Sequence, residues 1–86
     1  MSTTEQTWTA EAIRTNLTAF VERQTKQPVT TDLDLFGSGL VSSLFALQLV
    51  VHVETAFGVA VAGAELKLDN FRTVDAITDL VLRLRT

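Results

Sequence analysis

The sequence predicts an all-α fold: a small bundle of three substantial helices and one short one, with a long loop between the first and second. Three observations carry this. Apolar residues recur at helical spacing in three separate stretches, each opened by a hydroxyl-bearing residue. No stretch alternates apolar and polar residues convincingly, as a half-buried strand would. The chain has 86 residues, of which 47% are hydrophobic and 20% charged, which is too apolar for disorder and long enough for one core. We therefore expect a single domain over 1–86, with 1–7 flexible.

The first helix spans about Thr9 to Gln24. Ile13, Leu17, Phe20 and Val21 mark its inner face, and Glu11, Arg14, Glu22 and Arg23 lie elsewhere. Thr9 is suited to cap it, and Trp8 to pack on Ile13 as a hydrophobic staple. Pro28 stops it by Lys26 or Gln27, because the residue before a proline resists the helical region. Val29 to Val41 then reads as a loop. Asp32, Asp34, Gly37, Ser38 and Gly39 are turn formers. Leu35 or Phe36 must be buried, since a loop this long frays unless its apolar residues reach the core.

The second helix begins at Ser42 or Ser43 and ends near Phe57, with Gly58 as its C-cap. A rotation of about 100° per residue places Ala46, Leu47, Val50, Val53, Glu54 and Phe57 on one broad side, which we take as the core face. Leu44, Gln48, Val51 and Thr55 flank it, and Phe45, His52 and Ala56 fall on or near the far side. Leu66, Leu68 and Phe71, around Asp69-Asn70, suggest a short helix or turn. Thr73 caps the last helix, whose core stripe is Val74, Ile77, Leu80, Val81 and Leu84. Leu47, Val50, Phe57, Ile77 and Leu80 are the expected centre of the core.

Charge and composition exclude several functions. Net charge is −3, and no Lys or Arg occurs between Gln27 and Leu66. A nucleic-acid binder needs a basic face against phosphates, and the middle of this chain has none. No apolar run approaches the roughly 20 residues of a membrane helix. The first residues lack the basic-then-apolar order of a signal peptide. There is no cysteine, hence no disulfide framework and no thiolate metal site, which fits a cytoplasmic protein. The single histidine, His52, falls on the solvent side, so no Ser-His-Asp set assembles and no pair of histidines spans a metal. Asp32 and Asp34 lack further ligands and read as turn residues. GSG at 37–39 lacks the lysine and preceding strand of a phosphate-binding loop. No catalytic residue emerges.

The stretch Gly37-Ser-Gly-Leu-Val-Ser-Ser-Leu-Phe45 puts two serines where a helix start needs one. Ser42 can supply the cap, its hydroxyl accepting a hydrogen bond from an orphan amide. Ser43 would then be the first helical residue, its hydroxyl beside free amides and the positive end of the dipole, a place that suits a phosphate. By spacing alone, capping accounts for both.

The run from Asp34 to Thr78 resembles the acyl and peptidyl carrier proteins. That family shows a Gly-x-Asp-Ser-Leu type motif at the start of the second helix, then Phe-Gly and a β-branched residue, then an apolar residue, Thr-Val and Ala-Ile. Here these are Ser43-Leu44, Phe57-Gly58-Val59, Phe71, Thr73-Val74 and Ala76-Ile77. The resemblance implies a four-helix bundle of acyl-carrier type and a covalent 4′-phosphopantetheine arm, taken from coenzyme A, on Ser43. Ser42 stands where the family usually has aspartate and caps the helix beside the site. The arm's thiol would hold an acyl group as a thioester, and the protein itself would catalyse nothing. The implied partners are a phosphopantetheinyl transferase, a loading enzyme (an acyltransferase or an adenylating enzyme), acyl-modifying enzymes, and a ketosynthase or other acceptor.

The resemblance also places docking on the start and exposed edge of the second helix, here Leu44, Phe45, Gln48, Val51 and Thr55. That edge is almost uncharged, so apolar contact must supply most of the affinity, with Phe45 as the largest anchor. GLVSSLFALQLV looks most like discrete carriers of unusual polyketide extender units, of the alkoxymalonyl type. We accordingly expect a freestanding, monomeric carrier in polyketide or mixed polyketide/nonribosomal peptide biosynthesis. An aminoacyl or peptidyl carrier of nonribosomal or D-alanine type is the alternative. A helical interaction module without prosthetic group is the rival from another class.

Overall fold

A computed structural model of the chain describes residues 8–85. The expected flexibility of 1–7 lies outside them. α1 spans Ala10–Thr25, α2 Ser43–Phe57 and α3 Val74–Arg85, and two 3₁₀ turns, Gly63–Glu65 and Leu68–Phe71, occupy the place of the short helix. No strand occurs among the described residues. The architecture is a small all-α bundle, as the sequence predicts.

The helix ends follow local chemistry. Thr9 Oγ1 accepts the Ala12 amide at 3.1 Å and caps α1, and Lys26 ends it in the left-handed region. Gly58, at φ 66°, ends α2 and returns its amide to the Glu54 carbonyl. Thr73 Oγ1 accepts the Ala76 amide at 2.9 Å at the start of α3. Glu54 turns its carboxylate onto the Val61 amide at 2.8 Å, so an acid near the core side holds down the segment leaving α2.

The core is built from Ile13, Leu17 and Val21 of α1, Leu49, Val53 and Phe57 of α2, and Val74, Ile77, Leu80 and Val81 of α3. Leu35 enters from the loop, fully buried, and Phe71 from the second 3₁₀ turn. Trp8 meets the Phe57 ring edge-on with centroids 4.6 Å apart, so the ring contact observed for it reaches α2. Arg14 of α1 pairs with Asp75 of α3 at 2.9 Å.

α2 is turned from its expected orientation. Leu47 is 63% exposed and Val50 is half-buried, whereas Leu49 is fully buried. The true inner face, Phe45, Leu49, Val53, Ala56 and Phe57, is rotated by about 90°, close to one residue step, from the expected face. The cause lies in the helix itself. Apolar residues surround most of α2, so its periodicity carries little directional information, and the packing of the other elements chooses the face. His52 is corrected likewise. It lies half-buried against α1, not in solvent.

Candidate functional site

The loop before α2 determines how its first turn is presented. Asp34 Oδ1 accepts the amides of Phe36 and Gly37 at 3.2 and 2.8 Å, and the Asp34 carbonyl accepts the Ser38 amide at 3.0 Å. The Val41 amide returns to the Leu35 carbonyl at 3.1 Å. Residues 35–41 thus form a ring closed at its base, with Leu35 driven inward as its anchor. Gly37 leaves room for the Asp34 carboxylate. A Cβ on it would lie 2.4 Å from Asp34 Oδ2. Asp34 is a turn residue, as its surroundings in the sequence suggest. The Gly37 amide first, with the Arg72 guanidinium and the Phe36 amide, holds its carboxyl below the usual carboxylate range, although partial desolvation pushes the other way.

The ring delivers the chain to Ser42 in an extended conformation, and Ser42 Oγ accepts the Phe45 amide at 3.3 Å. Ser42 is therefore the helix cap. Ser43, the first residue of α2, is exposed. Among the described residues no group bonds its hydroxyl. The amides opening a helix have no intrahelical partner and carry the positive end of the dipole. No acid lies in the first turn of α2. These residues fit a covalent phosphodiester: a free hydroxyl, open amides at its side, and no carboxylate to repel it.

One stripe of α2 faces outward beside Ser43. Leu44 is 70% exposed, Leu47 63% and Val51 60%. Gln48 and Thr55 lie on the same side, exposed, and no charged residue does. Leu47, four residues from Ser43 and hence on its face, is the member that sequence reasoning missed, because it reads as core. A groove of about 520 Å³ runs along the stripe, with Phe20, Gln24 and His52 on its α1 side. Phe45 does not stand on this edge. Half-buried, its ring stacks on Phe20 with centroids 5.8 Å apart.

His52 closes the groove from below. Its Nε2 lies 2.7 Å from Asn16 Oδ1, within hydrogen-bond distance. Burial, with the Arg23 charge as a smaller cause, pushes its pKa below the ordinary histidine value. Among the described residues no group of His, Cys, Asp or Glu is arranged to hold a metal, and no helix is long and apolar enough to cross a membrane.

Comparison with known proteins bears on this arrangement directly. Residues 12–81 match the profile of a family described as "Phosphopantetheine attachment site". D-alanyl carrier proteins from strains of Streptococcus thermophilus are 33% identical over 54 residues, covering 63% of this chain and 68% of theirs.

Proposed function

The chain belongs to the phosphopantetheine attachment site family, carrier proteins that bear a covalent 4′-phosphopantetheine, and from that premise we propose that Ser43 is the residue that bears it. The observation that carries this is the division of labour between the two serines. Ser42 is bonded into the cap, and Ser43 offers an unbonded, exposed hydroxyl one residue into the helix. When bound, the group supplies a terminal thiol on which an acyl cargo is held. This chain's residues do the rest. Ser43 would supply the oxygen, the Ser43 and Leu44 amides, which the cap does not occupy, would be available to the phosphate, and Ser42 keeps that turn wound.

Incubation with coenzyme A, magnesium and a promiscuous phosphopantetheinyl transferase, read by intact mass, tests the assignment. Wild type and Ser42→Ala should gain one arm, and Ser43→Ala none. An arm on Ser43→Ala would overturn the residue assignment. Its absence from wild type would favour a helical interaction module instead.

Partners meet the protein on the outward stripe of α2, through Leu44, Leu47, Gln48, Val51 and Thr55. Carriers of this family work with a transferase and loading enzymes in general. Here the shared surface around Ser43 is apolar, so those partners present an apolar rather than a strongly basic patch. The domain is monomeric and cytoplasmic and has no catalysis of its own. Its cargo is an acyl group for polyketide or mixed polyketide/nonribosomal peptide assembly, an alkoxymalonyl-type extender unit in particular. The wording of GLVSSLFALQLV supports this reading. A second reading, an aminoacyl cargo, is favoured by the likeness to D-alanyl carrier proteins. The loading step separates them. An adenylating enzyme with an amino acid and ATP should charge the holo protein under the second reading, and an acyl donor with its acyltransferase under the first.

A further inference from the structure

We propose that Arg72 is a positioning residue for the modification of Ser43: through Asp34 it holds rigid the ring that presents the serine. The proposal rests on Ser43 being the attachment residue.

Arg72 sits between the second 3₁₀ turn and α3, 29 residues beyond Ser43 in the chain. It bonds the ring in two independent ways. Its carbonyl accepts the Leu35 amide at 2.7 Å. Its Nη1 donates to Asp34 Oδ2 at 3.3 Å, while Nε and Nη2 both donate to Asp69 Oδ1, at 3.2 and 3.0 Å. The guanidinium therefore forks between the loop and its own turn. Asp34 is used completely by this arrangement. Oδ2 faces Arg72, and Oδ1 holds the amides of Phe36 and Gly37. Release of the fork frees the carboxylate that organises the ring, eight residues before Ser42.

The arrangement is poorly suited to holding the fold together. The side chains of Arg72 and Asp34 are 40% and 44% exposed, and ion pairs so exposed contribute little to global stability. The core is closed by Leu35 and the three helices regardless. What an exposed fork with fixed geometry provides is local order. Order matters at this place, because a transferase must bring the Ser43 oxygen into line with a phosphate, and a small misplacement is costly in rate.

The test compares wild type with Arg72→Gln, Arg72→Lys, Asp34→Asn and Gly37→Ala, the last displacing the Asp34 carboxylate by its new Cβ. Steady-state kinetics with the transferase and coenzyme A give kcat and the KM for the carrier. Amide hydrogen exchange at Phe36, Gly37 and Val41 reports the ring, and the melting temperature reports the fold. Arg72→Gln, Asp34→Asn and Gly37→Ala should each lower kcat about tenfold. KM should hold within about twofold, because the α2 stripe that docks is intact. Ring exchange should rise while α1 and α3 exchange as in wild type. Arg72→Lys, which keeps the charge but not the fork, should recover only part of the rate. The double variant Asp34→Asn/Arg72→Gln should be no slower than the worse single one. Unchanged kcat with a loosened ring overturns the proposal, as does a ring that exchanges like wild type in Arg72→Gln. A loss of rate only in proportion to a loss of melting temperature also overturns it. If wild type is not modified on Ser43, the attachment assignment itself fails, and that result precedes and is distinct from these.

Discussion

The imidazole of His52 lies flat on the ring of Phe20, centroids 4.0 Å apart and planes 14° from parallel. Phe20 also stacks with Phe45, and the Arg23 guanidinium lies 6.0 Å from its centroid. With the bond from His52 to Asn16, these contacts form a seam between α1 and α2 directly under the groove beside Ser43. A histidine neutral within such a seam ties the packing of α2 to pH.

The sign follows from burial. The folded pKa of His52 lies below its ordinary value of 6.5, so below that pH the unfolded chain binds the proton more readily. The contribution of His52 is complete above about pH 6.5 and is lost as pH falls through its folded pKa. Melting temperature should therefore decline from pH 7 toward pH 5 in wild type, and more shallowly in His52→Gln. An NMR titration of the ring should show a midpoint below 6.5, and a midpoint above it would contradict the seam as described.

Leu49 and Leu47 make a controlled pair, two residues apart on one helix. Leu49→Ala empties a fully buried site and should cost about 2–5 kcal/mol. Leu47→Ala, on the exposed stripe, should cost under about 1 kcal/mol. Urea denaturation of both variants measures the difference, and comparable losses would mean that α2 faces the other way.

Phe45 and Leu47 separate packing from docking. Phe45→Ala should lower the melting temperature, because it removes a ring stacked on Phe20. Leu47→Ala should lower it less than Phe45→Ala does and weaken binding to the transferase by about 1 kcal/mol or more. With no charge on the stripe, that binding should change little between low and moderate salt. A steep salt dependence would assign docking to acids elsewhere on the surface.

Ser42 should behave as a cap and nothing more. Ser42→Ala is expected to cost about 0.5–2 kcal/mol by thermal denaturation, and Ser43→Ala less. Ser42→Asp, which keeps an acceptor for the Phe45 amide, should retain wild-type stability.

Much of this molecule is legible in its sequence because the signals are local. Thr9, Ser42, Gly58 and Thr73 mark helix ends through bonds and backbone angles that depend only on near neighbours, and the structure places the caps there. α3, with polar residues on one side, declares its buried face through periodicity, and Val74, Ile77, Leu80 and Val81 are buried as expected. The spacing of Ser43 to Phe57-Gly58 and Thr73-Val74 is likewise linear information, and it carries the resemblance to the family whose profile residues 12–81 match. Tertiary structure alone decided the rest. α2 is apolar at nearly every turn and side, so only the shapes offered by α1, α3 and the loop select Leu49 over Leu47 for the interior. His52 reads as a solvent residue until Asn16 and Phe20, more than 30 positions away, take it out of water. The fork of Arg72 onto Asp34 joins residues 38 apart, a relation that no local pattern encodes, because it exists only once the chain has folded back to close the loop.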